Sequence, residues 1–215
     1  MATIAVDVFR NHDAAFADLD DAFDAVVRAV DDISDTTGHG YEVRKRGHTF
    51  SIGTSGRDTQ DVLNDFEYFL AANGLYDPNE PRCYLLIYES GDYGFAGQAR
   101  YETGNPWDDD RRDYQLQGNR YGLAVADFQT TADRNVAVHE VLHTFMGYTD
   151  GYPWGDHEKG AVYFTDEVSP MATGYAGELD EYCRNGGSGE YYVNTLTTCA
   201  KDGVDEYLDT TWSPA

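Results

Sequence analysis

The run VAVHEVLHTFMG, residues 136–147, constrains this chain more than any other stretch. Its apolar residues recur at helical spacing, and Gly147 is a typical residue at the end of a helix. His139 and His143 are four residues apart, so on a helix their side chains project from one face, one turn apart. Glu140 follows the first histidine directly. This pattern predicts a helix that binds zinc through His139 and His143 and uses Glu140 as a catalytic carboxylate.

The alternative interpretation is a buried helix whose two histidines are hydrogen-bonded to backbone carbonyls. In that case the adjacent Glu140 would be buried without a purpose, and burying an unpaired carboxyl group is costly. The zinc interpretation is therefore the favoured one.

A catalytic zinc ion usually takes three protein ligands and keeps a fourth position for water. The third ligand must follow the helix, where the candidates are Asp150, Asp156, His157 and Glu158. We favour His157, because the glycine-containing segment before it is long enough to fold back over the end of the helix. Asp150 is the alternative.

Charge limits the class of partner. The sequence has 15 lysines and arginines against 39 aspartates and glutamates, a net charge of −24. A field of this sign repels nucleic acids and anionic membrane surfaces, so we expect neither as a partner. Acidic residues spread along the whole chain, with few lysines, are typical of proteins that work in high salt, where ions screen the self-repulsion.

Three cysteines are present, and none forms a CxxC pair. Cys183 and Cys199 flank a glycine-rich segment and could form a disulfide, the alternative being three reduced thiols in a cytoplasmic protein, whereas Cys83 lies in an apolar run and is expected to be buried. A disulfide favours an extracellular location over a cytoplasmic one. The start, MATIAVDVFRNHD, has no secretory signal, so export would require a segment removed beforehand.

Hydrophobic periodicity predicts the order strand, helix, strand, strand, helix, strand, strand, strand before the motif helix, the strand at 91–101 being an edge strand. Gly47 is expected to form a tight turn between two short strands, and no apolar run is long enough to span a membrane. The predicted elements are strands at 3–9, 41–46, 48–52, 83–88, 91–101 and 121–128, and helices at 12–35, 58–73, 130–146 and 195–208.

The segment HEVLHTFMGYTDG, followed by SPMATGY, resembles the metzincin branch of the zinc metalloproteases. In that family the helix carries HExxHxxGxxH or HExxHxxGxxD, and a later turn places a methionine beneath the metal. The resemblance assigns Met171 to this Met-turn and places Tyr175 where some members have a tyrosine near the metal. It is specific only from about Tyr121 to Tyr175.

The chain departs from the family pattern at one point. Gly147 lies one residue later than the family's glycine, and the third-ligand position would fall on Thr149, which is not a usual zinc ligand. Asp150 restores the spacing if the helix end contains one extra residue. The segment GDHEKGAVYFTDEVSPMATGY also resembles metalloproteases of halophiles, which favours His157.

The resemblance implies an α+β, zincin/metzincin-like fold: a twisted mixed β-sheet with backing helices, an active-site helix and a loop-rich C-terminal part. It predicts one domain over residues 1–215, divided into 1–147 and 148–215. The expected function is hydrolysis of peptide bonds in high salt by a monomeric zinc endopeptidase, with Tyr175 contributing to catalysis. The alternatives are a zinc hydrolase of a non-protein amide and an acidic interaction module with a structural metal.

Overall fold

Strands and helices alternate up to residue 88, two more strands then precede the helix at 133–146, and a last helix follows two short strands. The computed structural model describes residues 2–75, 82–91, 97–101, 121–128, 133–146, 167–171, 191–192 and 195–211. The strands are β1 (Thr3–Asn11), β2 (Gly40–Phe50), β3 (Arg82–Tyr88), β4 (Gly97–Tyr101), β5 (Tyr121–Asp127), β6 (Glu167–Val168) and β7 (Tyr191–Tyr192). The helices are α1 (Phe16–Thr37), α2 (Thr59–Ala72), α3 (Asp133–Met146) and α4 (Thr198–Thr211).

The central sheet has five strands in the order β2-β1-β3-β5-β4. Strands β2, β1, β3 and β5 run parallel, and β4 pairs antiparallel with β5 at one edge. Helix α1 connects β1 to β2 and α2 connects β2 to β3, because parallel neighbours need a long crossover. The expected mixed sheet with backing helices is confirmed.

Helices cover both faces of this sheet. Alternate residues of β3 point to opposite faces, and every residue of that strand is buried. Cys83, Leu85 and Ile87 join the core formed with α1, α3 and α4. The rings of Tyr84 and Tyr88 join a second core formed with α2. The continuous apolar run that predicted a strand buried on both faces therefore reflects the packing.

The expected tight turn at Gly47 is wrong. Strand β2 is continuous from Gly40 to Phe50 and pairs with β1 on both sides of this glycine. Val8 pairs with Lys45 and Arg10 with Thr49, so the irregularity at residues 46–48 is absorbed inside the strand. Pairing with β1 before and after the glycine outweighs its turn preference, and the extra residues form a bulge.

Most of the other predicted elements begin and end within a few residues of the observed ones, whereas β4 begins at Gly97 rather than at residue 91, and the short strands β6 and β7 were not predicted. Helix α1 begins at Phe16 rather than at His12. At this start the Asp18 carboxylate accepts a hydrogen bond of 2.7 Å from the backbone N–H of Ala15. It ends at Gly38, which adopts a φ of 79°. In the described residues no helix has the length and apolar character to cross a membrane. The division of the chain near residue 147 remains a prediction.

The cysteines behave as their surroundings suggest. Cys83 is a free, fully buried thiol, and burial raises its pKa to about 12. Cys199, in α4, is disulfide-bonded. The chain has three cysteines, and the expected partner, Cys183, lies outside the described residues.

Candidate metal centre

Helix α3 carries the candidate site on the side that its apolar face leaves free. Ala137, Val138, Val141 and Leu142 are buried in the core beneath the sheet. The repeat of 3.6 residues per turn then leaves both histidines partly exposed. The helix predicted from the sequence is confirmed.

The imidazole rings of His139 and His143 meet edge to face. Their centroids are 4.5 Å apart and their planes make an angle of 83°. The two Nε2 atoms are 2.9 Å apart, so both nitrogens point at one small region of space. The side chain of His139 is 14% exposed, so it is not sealed within the apolar core.

The other ring nitrogen of His139 is held by the backbone. Its Nδ1 lies in hydrogen-bond contact with the carbonyl oxygen of Pro170. A carbonyl oxygen only accepts, so Nδ1 must carry the proton and donate it. The neutral ring therefore has its lone pair on Nε2, the atom that faces His143. Histidine ligands in metal sites are oriented by this kind of contact.

The donor set fits a zinc ion. Two histidine nitrogens bound to one tetrahedral zinc at about 2.0–2.1 Å are roughly 3.3 Å apart. The 2.9 Å separation of Nε2 of His139 and Nε2 of His143 needs only a small adjustment to reach that value. Imidazole nitrogens are also ligands that zinc prefers.

Glu140 lies beside the pair and is buried. Its Oε1 is 3.9 Å from Nε2 of His139. Burial raises the pKa of Glu140 to about 7, and the neighbouring His143 acts in the opposite direction. A carboxyl group here can exchange a proton with a small molecule placed between it and the histidines.

Residues 167–171 bring a second segment of the chain to the helix. Besides the carbonyl of Pro170, this segment contains Met171, which is buried in the same core as α3. A methionine side chain is soft and apolar and fills irregular space well. Its assignment as a Met-turn residue remains a prediction. His157, Asp150 and Tyr175 lie outside the described residues, as do Asp156 and Glu158.

A second set of ligand-type side chains lies between the start of the chain and α4. Within the described ranges, His39, Asp205 and Asp209 each offer one ligand atom, and these atoms lie within 4.8 Å of one another. Nε2 of His39 is 2.9 Å from Asp205 and 3.8 Å from Asp209. These are side chains that could hold a metal ion.

The hydrogen bonds of His39 point to another role. Its Nδ1 accepts a bond of 3.1 Å from the backbone N–H of Ala2, which can only donate. The neutral ring must therefore carry its proton on Nε2, where Asp205 accepts it. A metal ion at Nε2 would have to displace this proton and leave an anionic ring. The arrangement suits a link between protein groups better than a metal.

Sequence reasoning missed three of these contacts. The carbonyl of Pro170 leaves no trace in a pattern of side chains. His39 and Asp205 are 166 residues apart, so no local spacing joins them. The packing of Thr144, in α3, against Gly122, in β5, joins residues 22 positions apart, outside the range of the motif. Of the described site residues, His139, Glu140, His143 and Met171 carried a signal in the sequence.

Comparisons with known proteins agree with the fold. No protein-family model matches this sequence, and neither does any curated protein. Among solved structures, the chain is similar to metalloproteinase-II from Bacteroides fragilis, with a TM-score of 0.56 and 13% sequence identity. The match covers 96% of this chain and 53% of that one, so the chain spans about half the length of that structure. The fold is metalloproteinase-like.

Proposed function

We propose that the protein is a zinc-dependent peptidase, with His139 and His143 as two of the zinc ligands. The observation that carries this proposal is the convergence of their Nε2 atoms, 2.9 Å apart, with the His139 ring oriented by the carbonyl of Pro170. A zinc ion held there would supply a Lewis acid that acidifies water and polarises a carbonyl group.

Glu140 would act as the general base and then as the general acid. Its carboxylate lies within 3.9 Å of Nε2 of His139, close enough to take a proton from a water molecule beside the histidines. It would then pass this proton to the amine that leaves when the peptide bond breaks. Because Glu140 is buried, its carboxylate is held in place rather than free to sample solvent.

The finer assignment follows the metzincin resemblance. We propose His157 as the third zinc ligand, with Asp150 as the alternative, and Met171 as the Met-turn residue. Tyr175 would donate a hydrogen bond to the oxyanion that forms at the scissile carbonyl. Changing His157 and Asp150 separately to alanine tests the ligand: only the true ligand should lower zinc affinity severely.

The substrate is proposed to be an extended peptide. Strand β4 ends the sheet in the described part of the chain and pairs there with β5 alone. An extended peptide could add to such an edge through main-chain hydrogen bonds. The chain would act as a monomer on peptides or proteins, without nucleic acid or membrane partners.

The decisive experiment compares Glu140→Gln with the unmodified protein. The variant should keep its zinc and lose peptidase activity on casein by a factor on the order of 10² to 10⁴. Glu67→Gln is the matched control, because Glu67 is also a buried glutamate but belongs to α2, on the opposite face of the sheet. Activity that survives Glu140→Gln would remove Glu140 as the base. A protein that holds no zinc and digests no casein would refute the peptidase.

We also propose adaptation to high salt and an extracellular location. The net charge of −24 supports the first, and the disulfide at Cys199 supports the second. The midpoint of urea unfolding should rise as sodium chloride increases from low ionic strength to molar levels, because salt screens the repulsion between carboxylates. A midpoint that stays flat or falls would contradict the adaptation.

A further inference from the structure

Helix α3 meets the sheet at one unusually close contact. A Cβ atom added to Gly122, in β5, would lie 2.3 Å from Cβ of Thr144 and 2.7 Å from its Cγ2. Side-chain atoms do not approach so closely, so position 122 accepts only glycine while Thr144 keeps its place. We call the space above Gly122 the Gly122 notch, and the fully buried side chain of Thr144 fills it.

Thr144 is fixed in this notch by further contacts. Its Oγ1 donates a hydrogen bond of 2.7 Å to the carbonyl of Val141, one turn earlier in α3. Its side chain is also hydrogen-bonded to Cys83, which lies opposite Gly122 in the neighbouring strand β3. The end of the helix is thereby attached to two central strands of the sheet.

The same contact reaches the candidate site through the helix. Thr144 directly follows His143, and successive side chains on a helix are about 100° apart, so the two directions are coupled. Glu140 is four residues before Thr144 and therefore lies on the same face, one turn away. The carbonyl of Pro170 orients His139 from a different segment of the chain.

We propose that Thr144 is a positioning residue: seated in the Gly122 notch, it fixes the rotation of the last turns of α3 and thereby aims His143 and Glu140 at the zinc site. This inference rests on the proposed function. It predicts that filling the notch displaces a zinc ligand without touching one.

The test measures zinc affinity of metal-free protein by competition with a chelator, well below the unfolding temperature. Gly122→Ala should bind zinc about 10- to 100-fold more weakly, as changes behind a metal ligand typically do. Thr144→Val keeps the shape of the side chain and should bind nearly as tightly as the unmodified protein. Gly122→Ala with Thr144→Gly places a Cβ on the strand and removes the side chain it would strike, so part of the loss should be recovered.

Gly47→Ala is the control, since a Cβ there meets nothing within 4 Å. It should leave zinc affinity unchanged. A folded Gly122→Ala protein with the zinc affinity of the unmodified protein would overturn the proposal and leave the contact as packing alone. If Gly122→Ala does not fold, Thr144→Ala takes its place: it empties part of the notch and should also weaken zinc binding, and an unchanged affinity overturns the proposal.

A second measurement separates this inference from the proposed function. In metal-free protein, the imidazole NMR signals of His143 should shift in Gly122→Ala and stay in place in Gly47→Ala. If the unmodified protein binds no zinc, the peptidase proposal fails, yet these signals still report the position of the ring. If zinc binds and neither the affinity nor the signals change in Gly122→Ala, the positioning role fails and the peptidase stands.

Discussion

Two histidine clusters in this molecule use the same ring in opposite ways. In α3, Nδ1 of His139 donates to the carbonyl of Pro170, and Nε2 keeps a lone pair that faces His143. Near the start of the chain, Nδ1 of His39 accepts from the backbone of Ala2, and Nε2 donates to Asp205. The partner of one ring nitrogen therefore decides whether the other can bind a metal.

If only the distances between ligand atoms counted, the His39 cluster would be the better metal site of the two. His39 brings two carboxylates with it, and these three side chains meet a simple distance criterion for a metal. The ring proton of His39 is already donated to Asp205, and its other nitrogen accepts from Ala2, so the cluster links α4 to the residue before β1. The α3 pair has fewer ligands in the described residues but offers lone pairs that converge.

The largest expected effect distinguishes the clusters by their metal content. His143→Ala should lower zinc affinity by at least about 100-fold, because it removes one of the two proposed direct ligands. Asp205→Asn should leave zinc affinity and stoichiometry unchanged. Both are measured by metal analysis after dialysis against trace zinc. Loss of zinc from Asp205→Asn alone would reverse the comparison.

Reduction of the disulfide at Cys199, in α4, should change the stability of the protein and leave the α3 histidine pair unaffected. Its loss is expected to lower the free energy of unfolding by about 3 kcal/mol, by the loop-closure argument, with zinc content unchanged.

Because burial raises the pKa of Cys83 to about 12, that thiol stays protonated at pH 8 and should resist alkylation until the protein unfolds. Mass spectrometry of alkylated protein counts the thiols. Rapid labelling of Cys83 in the folded, non-reduced protein would contradict its placement in the core.

His39→Ala should produce a smaller loss. It removes the acceptor of Ala2 and the donor to Asp205, which should lower the free energy of unfolding by about 1–3 kcal/mol and leave zinc bound. Urea titration followed by circular dichroism measures this loss. His12→Ala, at an exposed histidine, is the control and should change stability by less than about 0.5 kcal/mol. If His39→Ala were as stable as that control, the link to α4 would contribute nothing.

The smallest effect is a difference between the tautomers of His39 and His139, which is measured in the unmodified protein. In metal-free protein, ¹⁵N NMR of the imidazole rings should find the proton of neutral His39 on Nε2 and that of neutral His139 on Nδ1. A proton on Nδ1 of His39 would break its bond with Ala2 and open Nε2 to a metal. That result would make the two clusters equivalent.

Local patterns in the sequence predicted much of the fold and the centre of the site. The apolar run of β3 and the helical spacing of α1, α2 and α3 appear where periodicity placed them, because each pattern reports which side is buried. The prediction at Gly47 failed because the conformation there is set by a segment distant in the sequence. Whether a glycine bends a chain or sits in a bulge depends on the neighbouring strand, which the local sequence does not contain.

By itself, then, the sequence determined the order of the strands and helices, the charge of the surface and the spacing that sets His139 and His143 on one face of a helix. Those features arise from backbone periodicity and side-chain chemistry, which act over a few residues. Only the tertiary structure decided that the carbonyl of Pro170 accepts the proton of Nδ1 of His139, that Ala2 and Asp205 contact the two ring nitrogens of His39, and that Thr144 rests above Gly122. Each of these contacts joins residues far apart in the chain, so it exists only once the sheet and helices have packed.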